Sequence, residues 1–126
     1  MVSYVLDIKD VLTAVYRLTA NAAVQRGDAD HVATEDNKDM LNQFLEEGKG
    51  LLMNAFGRYA TPTGYAMPSN WPDRSEEVSS LAKDFLANYV TAKWFELNGA
   101  GDKFLATANT ELESIKLLLI QRRRPI

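Results

Sequence analysis

The sequence contains no cysteine and a single histidine, His31. Without cysteine, the chain has no disulfide, no thiolate nucleophile and no thiolate metal ligand. No apolar run approaches the roughly 20 residues that cross a bilayer. The start of the chain lacks the basic region and apolar core of a secretory signal. We therefore expect a protein that stays in the cell that makes it or leaves that cell by lysis.

Sets of residues that could support catalysis are also scarce. His31 lies near Asp28 and Asp30 in a polar connection, and zinc sites need three or four ligands on a fixed frame. Carboxylate pairs such as Glu46 and Glu47 are neighbours in sequence, so they point in different directions on a helix. No glycine-rich phosphate loop is present. We expect no catalytic residue, no metal site and no cofactor, and hence a protein that is not an enzyme.

The length of 126 residues fits one domain, with 46% hydrophobic and 25% charged residues. The formal net charge of −3 argues against a generally basic, nucleic-acid-binding surface. Apolar residues at helical spacing predict an all-α fold of a single domain, residues 1–126. Its four helices are expected at about residues 8–24, 35–59, 74–98 and 103–123, with a long proline-containing loop between the second and third.

The third helix has the most complete signals. Asp73 is a candidate N-cap, Gly99 is a candidate terminator, and acidic residues follow the start. Its apolar face is unusually broad and comprises Val78, Leu81, Phe85, Leu86, Tyr89, Val90, Ala92, Trp94, Phe95 and Leu97. A face of this width predicts contacts on more than one side. We therefore expect this helix to be the centre of the domain, and its surplus apolar positions to favour self-association.

Two shorter stretches leave structural alternatives. Val2, Tyr4 and Leu6 alternate, which fits either an extended arm or the approach to a helix. Gly48 and Gly50 lie inside the second helix, where each costs about 1 kcal/mol relative to alanine. Either the helix bends there or another backbone packs against Gly48. We favour close packing, because the apolar stripe keeps its phase across both glycines.

The loop of residues 60–72 contains three prolines and one glycine, which exclude a regular helix. It also carries Tyr65, Met67 and Trp71, whereas a merely flexible linker is usually more polar. The loop either folds back on the bundle or projects to a partner. Trp71 either packs on the start of the third helix or joins a contact surface. These three residues are candidates for partner contact.

The basic tail, residues 121–126, contains Arg122, Arg123 and Arg124 in a chain that is net acidic. Arginines at a helix C-terminus complement the helix dipole, and Pro125 stops the helix. Alternatively, the three arginines meet phosphates or an acidic partner surface. They complete the set of candidate contact residues.

The order of elements resembles a known family. A long helix ending in Phe56-Gly57-Arg58-Tyr59-Ala60 is followed by a proline-containing break, a helix such as residues 78–89 that runs into the aromatic stretch Tyr89–Phe95, and a final amphipathic helix. This pattern, over about residues 37–124, resembles the small head–tail connector (adaptor, head-completion) proteins of tailed phages and prophages. The break and the first helix are longer here than is usual in that family.

The resemblance implies a structural protein that forms a ring between the portal and tail proteins, located in the virion at the head–tail junction. DNA would pass through the ring without specific binding, and no membrane would be involved. The loop and the tail would then be docking elements. The alternative is a cytoplasmic bacterial helical domain for protein–protein interaction or regulation, without catalysis.

Overall fold

The computed structural model describes residues 1–26, 33–96 and 101–121, with the side chains of residues 23–26, 120 and 121 excepted. The four predicted helices are present: α1 (Val11–Arg26), α2 (Lys38–Phe56), α3 (Ser75–Glu96) and α4 (Asp102–Gln121). Short 3-10 turns, Glu35–Asn37 and Gly57–Tyr59, flank α2. The mainly helical fold class is therefore confirmed, and each helix begins within three residues of the predicted start.

Helix α3 is the centre of the domain, as predicted. It packs against α1, α2 and α4, with its longest contact along α4. Residues on all sides of α3 are buried, including Val78, Phe85, Leu86 and Thr91. Its broad apolar face is therefore covered by three neighbours of the same chain. The breadth of the apolar face of α3 is therefore no reason to expect self-association. The spacing of apolar residues predicts that a face is buried, but it does not say whether the same chain or another chain covers it.

The fold also contains a small antiparallel sheet that the helical reading did not include. Its strands are β1 (Val2–Val5), β2 (Ala60–Thr61) and β3 (Gly64–Met67), in the spatial order β1-β3-β2. Val5 pairs with Gly64, and Thr61 also pairs with Gly64 across a two-residue turn. The prolines of the loop flank these strands, so none of them interrupts a ladder hydrogen bond.

The alternating start of the chain is therefore extended, and α1 begins three residues later than predicted. Asp10 has a φ of 64°, in the left-handed region, which a right-handed helix cannot include. Its carbonyl oxygen accepts the N–H of Ala14 at 3.3 Å, so Asp10 occupies the position ahead of the first turn. Asp7 therefore lies outside the helix.

The two glycines of α2 have different surroundings. Gly48 is buried, and a methyl group added there would lie 2.9 Å from Leu86 Cδ2 and 3.0 Å from Tyr89 Cδ1 on α3. Gly50 is exposed, with no atom within 4 Å of the same position. Gly48 is therefore closely packed, as favoured from the sequence, but its close neighbours are side chains of α3 and not another backbone.

Candidate functional site

The structure places two of the predicted contact residues in the core. Tyr65 and Met67 are 0% and 1% exposed. The Tyr65 ring lies 5.3 Å from that of Phe56 and 5.2 Å from that of Tyr4, measured between ring centroids. The loop thus folds back on the bundle here, because alternate side chains of β3 face inward. Tyr65 and Met67 are corrected from partner-contact candidates to core residues that offer no surface.

Trp71 remains partly accessible. It packs on the edge of the core, with its ring 6.3 Å from that of the buried Tyr59. The guanidinium of Arg58 lies 5.1 Å above the Tyr59 ring and donates to the Tyr59 hydroxyl at 3.1 Å. This arrangement holds the end of α2 against the segment leading to α3. It fits the interpretation in which Trp71 packs near the start of the third helix.

The other predicted site residues lie outside the described residues. Arg122, Arg123 and Arg124 follow the last described residue, Gln121. Of the six candidates, the structure describes Tyr65, Met67 and Trp71.

The outer edge of β1 is a surface that was not predicted from the sequence. The N–H of Leu6 donates to Thr63 O at 3.0 Å, on the side of β3. Because backbone groups alternate along a strand, those of Tyr4 also face β3, whereas those of Ser3 and Val5 point away from it. The next outward-pointing group, the N–H of Asp7, donates to Ser79 Oγ of α3 at 3.3 Å. The outer edge of β1 therefore faces α3.

A groove of about 410 Å³ lies between this edge and α3, and we call it the β1 groove. Its lining residues come from the end of β1 and from the first half of α3: Val5, Asp7, Ser75, Glu76, Ser79, Ser80, Lys83 and Asp84. The hydrogen bond between Asp7 and Ser79 joins its two walls. Three carboxylates and one ammonium group line it, so the groove carries a net negative charge.

A second polar cluster joins α2 to α3. The Tyr89 hydroxyl donates to Glu47 Oε2 at 3.3 Å, and Lys93 Nζ lies 3.1 Å from Glu96 Oε2. Burial, together with the neighbouring Glu47 carboxylate, raises the pKa of Tyr89 above its ordinary value. The hydrogen bond to Glu96 raises the pKa of Lys93. Both shifts keep the groups in their neutral-pH states, so the cluster is suited to tying the helices together.

A third polar contact links α3 to α4. Asn88 Nδ2 donates to Glu111 Oε1 at 2.8 Å and to the carbonyl oxygen of Asp84 at 3.0 Å. Partial burial raises the pKa of Glu111, an effect that the bond from Asn88 opposes and the charge of Asp84 reinforces. The polar partner of the carboxylate is Asn88. Its arrangement fits a helix–helix contact.

Apolar side chains are exposed on two of the outer helices. On α2 these are Met40 and Leu51, and on α4 they are Leu105 and Leu117, the last of which is 55% exposed. Leu105 precedes Ala108, Ile115 and Leu119, which are the buried residues of α4. These side chains are scattered along the two helices, with no continuous stripe.

Within residues 1–26, 33–96 and 101–121, no group of three or more histidine, cysteine or carboxylate side chains could hold a metal ion. Across the same ranges, no helix has the length and apolarity needed to span a membrane. The β1 groove is the arrangement best suited to binding a peptide, because the exposed backbone groups of a strand can pair with another extended backbone. The alternation of Val2, Tyr4 and Leu6 hinted at this strand, but only its pairing with β3 defines which edge is open.

Comparisons with protein-family models, with curated proteins and with solved structures found no match to this chain.

Proposed function

We propose that this chain is a structural head–tail connector of a tailed phage or prophage, which forms a ring between the portal and the tail. The order of elements supports this proposal most directly. Helix α2 ends at Phe56, a proline-containing segment follows, and α3 and α4 complete the bundle. That is the succession on which the resemblance depends. On this proposal the protein resides in the virion, at the head–tail junction.

The subunit exposes different surfaces on different sides, which fits a ring in which one surface of each subunit contacts a different surface of the next. Such heterologous contacts close a ring when the rotation between neighbours permits it. The exposed apolar side chains of α2 and α4 lie on two different helices, and the β1 groove lies on a third surface. Because the face of α3 is covered within the subunit, subunit contacts would involve these surfaces in its place.

Light scattering of the protein alone and mixed with the portal protein of the same genome tests the proposal. We expect a ring-sized complex on the portal, with or without a ring in free solution. Genes for portal, capsid and tail proteins on either side of this gene would agree with it. A protein that stays monomeric and does not bind that portal would contradict it.

The proposed DNA channel makes a separate prediction. A channel that passes DNA should not hold it tightly, which agrees with the formal net charge of −3. We expect weak binding to duplex DNA that decreases steeply with salt. Any residual binding should fall when Arg122, Arg123 and Arg124 are replaced by alanine. Tight, salt-resistant binding would point to a DNA-binding protein.

A bacterial domain for protein–protein interaction or regulation is the second candidate. The β1 groove favours it, because a strand edge beside a helix is a recurrent way to bind an extended peptide. Genome context separates the two candidates, since a regulatory domain would not be flanked by genes for virion assembly.

A further inference from the structure

We propose that the β1 groove binds an extended basic segment of a different protein, which pairs with the backbone of Val5 and places cationic side chains on Glu76 and Asp84. This inference rests on the second candidate function, a domain for protein–protein interaction, and does not depend on a connector ring. Three features of the groove support it: its open strand edge, its charge and the spacing of its carboxylates.

The strand edge specifies an extended ligand. Within the groove, the N–H and the carbonyl oxygen of Val5 point away from β3, and the valine is 71% exposed. At the next outward position the N–H of Asp7 bonds to Ser79 Oγ, so β1 and α3 are joined there and the free edge is the one at Val5. Natural edge strands are usually protected by charged residues, prolines or bulges, none of which occurs in β1. An extended polypeptide is the ligand that satisfies such an edge.

The charge of the groove specifies a basic ligand. Asp7, Glu76 and Asp84 line the groove against one cation, Lys83. None of the ion pairs among the described residues uses one of these carboxylates. A cationic segment is therefore attracted to the groove without first breaking an ion pair of the described structure.

The spacing of the carboxylates specifies a pattern in the ligand. Glu76, Ser80 and Asp84 lie at every fourth residue, so they form one row along α3, and all three are exposed. The eight residues from Glu76 to Asp84 rise by about 12 Å along the helix. Four residues of an extended strand span about 13 Å, and residues i and i+4 of a strand face the same side. Basic residues at positions i and i+4 of the ligand therefore match the two carboxylates.

The exposure of the groove favours a different protein as the source of that segment. Phe95 near the end of α3 stacks on Phe104 near the start of α4. Asn88, earlier in α3, contacts Glu111, later in α4, so the two helices are antiparallel and α4 ends beside the start of α3. Val5 and the groove carboxylates are nevertheless exposed in the single chain, so the chain leaves them accessible. A second copy has the same net charge of −3, which disfavours its surface beside an acidic groove.

Fluorescence anisotropy with labelled peptides tests the ligand pattern. The probe is the heptapeptide TKVTVKT, whose lysines are four residues apart. The matched control TKVTKVT has the same composition with the lysines three residues apart, where they face opposite sides of a strand. We expect the probe to bind at least about threefold more tightly than this control, and the acidic peptide TEVTVET to bind much more weakly than either. Equal affinity for the three peptides would contradict the proposal.

Charge reversal in the groove tests where the probe binds. Glu76→Lys combined with Asp84→Lys should weaken binding of the probe at least about tenfold. The control variant, Asp36→Lys combined with Asp39→Lys, makes the same charge change at exposed positions outside the groove, and its affinity should stay close to native. Equal losses in the two variants would show attraction by net charge alone and overturn the site.

Val5→Pro tests the strand pairing independently of charge. It removes the outward N–H and leaves the ladder bonds to β3 intact, so the probe should bind at least about threefold more weakly while the circular dichroism stays native. Val5→Thr is the matched control, because it keeps the N–H and a β-branched side chain, and it should bind like the native chain. If Val5→Pro perturbs the fold, N-methylation of alternate residues of the probe removes the donors of one peptide edge at a time. Full affinity with both methylated probes would refute strand addition.

The remaining outcomes identify other occupants of the groove. If the probe binds only after Arg122, Arg123 and Arg124 are replaced by alanine, the chain's own tail competes for the groove. If the native chain self-associates and the groove variant does not, a second copy occupies it. Either result overturns the assignment to a different protein. Portal binding, measured on the same variants, tests the connector proposal separately: a chain that binds the probe but no portal keeps the groove site and loses the connector function.

Discussion

Replacing Gly48 with alanine should lower the stability of the protein or leave it unchanged, even though alanine is the better helix former. The added methyl would lie 2.9 Å from Leu86 Cδ2 and 3.0 Å from Tyr89 Cδ1. Favourable carbon–carbon separations are about 3.5–4.0 Å, so both side chains must move. Tyr89 is held by its hydrogen bond to Glu47 and by its ring contact with Phe85, 5.9 Å between centroids. Tyr89 can therefore move away from the added methyl only by disturbing these contacts.

The magnitude follows from two opposing effects. The gain in helix propensity from Gly48→Ala is about 1 kcal/mol. Overpacking a buried contact costs about 1–3 kcal/mol. The net result is a loss of up to about 2 kcal/mol in the free energy of unfolding. Gly50→Ala is the matched control, because nothing lies within 4 Å of the added methyl. It should raise the free energy of unfolding by about 1 kcal/mol.

Urea denaturation followed by far-ultraviolet circular dichroism measures both variants. We expect the midpoint to fall or stay level for Gly48→Ala, to rise for Gly50→Ala, and the slope m to remain unchanged for both. In a Leu86→Ala background, Gly48→Ala should become less harmful, since one of the two clashing groups is gone. Equal stabilisation by the two substitutions would falsify the close contact between α2 and α3.

Three further predictions concern the core, the sheet and an acid. Leu52→Ala should cost about 2–5 kcal/mol in unfolding free energy, because Leu52 is 0% exposed. Leu51 is 41% exposed, so Leu51→Ala should stay within about 0.5 kcal/mol of the native stability. Equal losses in chemical denaturation would contradict the orientation of α2. In Gly64→Ala, the added methyl group would overlap the backbone carbonyl of Tyr4. This substitution should therefore expose the β1 amides that face β3 to hydrogen exchange. Unchanged protection of these amides would argue against the strand register. Burial raises the folded-state pKa of Glu111, so the ionised carboxylate lowers the free energy of unfolding at neutral pH. This loss of stability diminishes as the pH falls through the folded-state pKa towards the ordinary carboxyl value. Glu111→Gln should therefore stabilise the protein at neutral pH and lose that advantage in acid, as measured by thermal midpoints across the pH range, and a gain that grows in acid would reverse the assigned direction.

The helices could be predicted because their information is local. Leu41, Gly48, Leu52 and Phe56 repeat at helical spacing on α2, and all four are buried. Ahead of α2, the N–H of Thr34 donates to Asn37 Oδ1 at 3.0 Å. Capping and periodicity depend on residues within one or two turns, so a single sequence contains them.

The sheet and the groove could not be predicted because their information is not local. Val5 pairs with Gly64 across the whole of α1 and α2, and no local signal names that partner. The aromatic residues of the loop are consequently ambiguous, because Tyr65 is apolar enough for either a core or an interface. Similarly, the breadth of α3 predicts many neighbours but cannot separate neighbours of the same subunit from those of another.

The pairing of β1 with β3 also has a consequence for the folding pathway. It closes a loop that contains α1 and α2 complete, and the entropy of such a closure is compensated only by contacts that form with it. The α3–α4 pair is adjacent in sequence and makes the most extensive contact of the fold, so it can form early. The sheet should therefore assemble after the rate-limiting step. Weakening β1 would then accelerate unfolding and leave the refolding rate nearly constant.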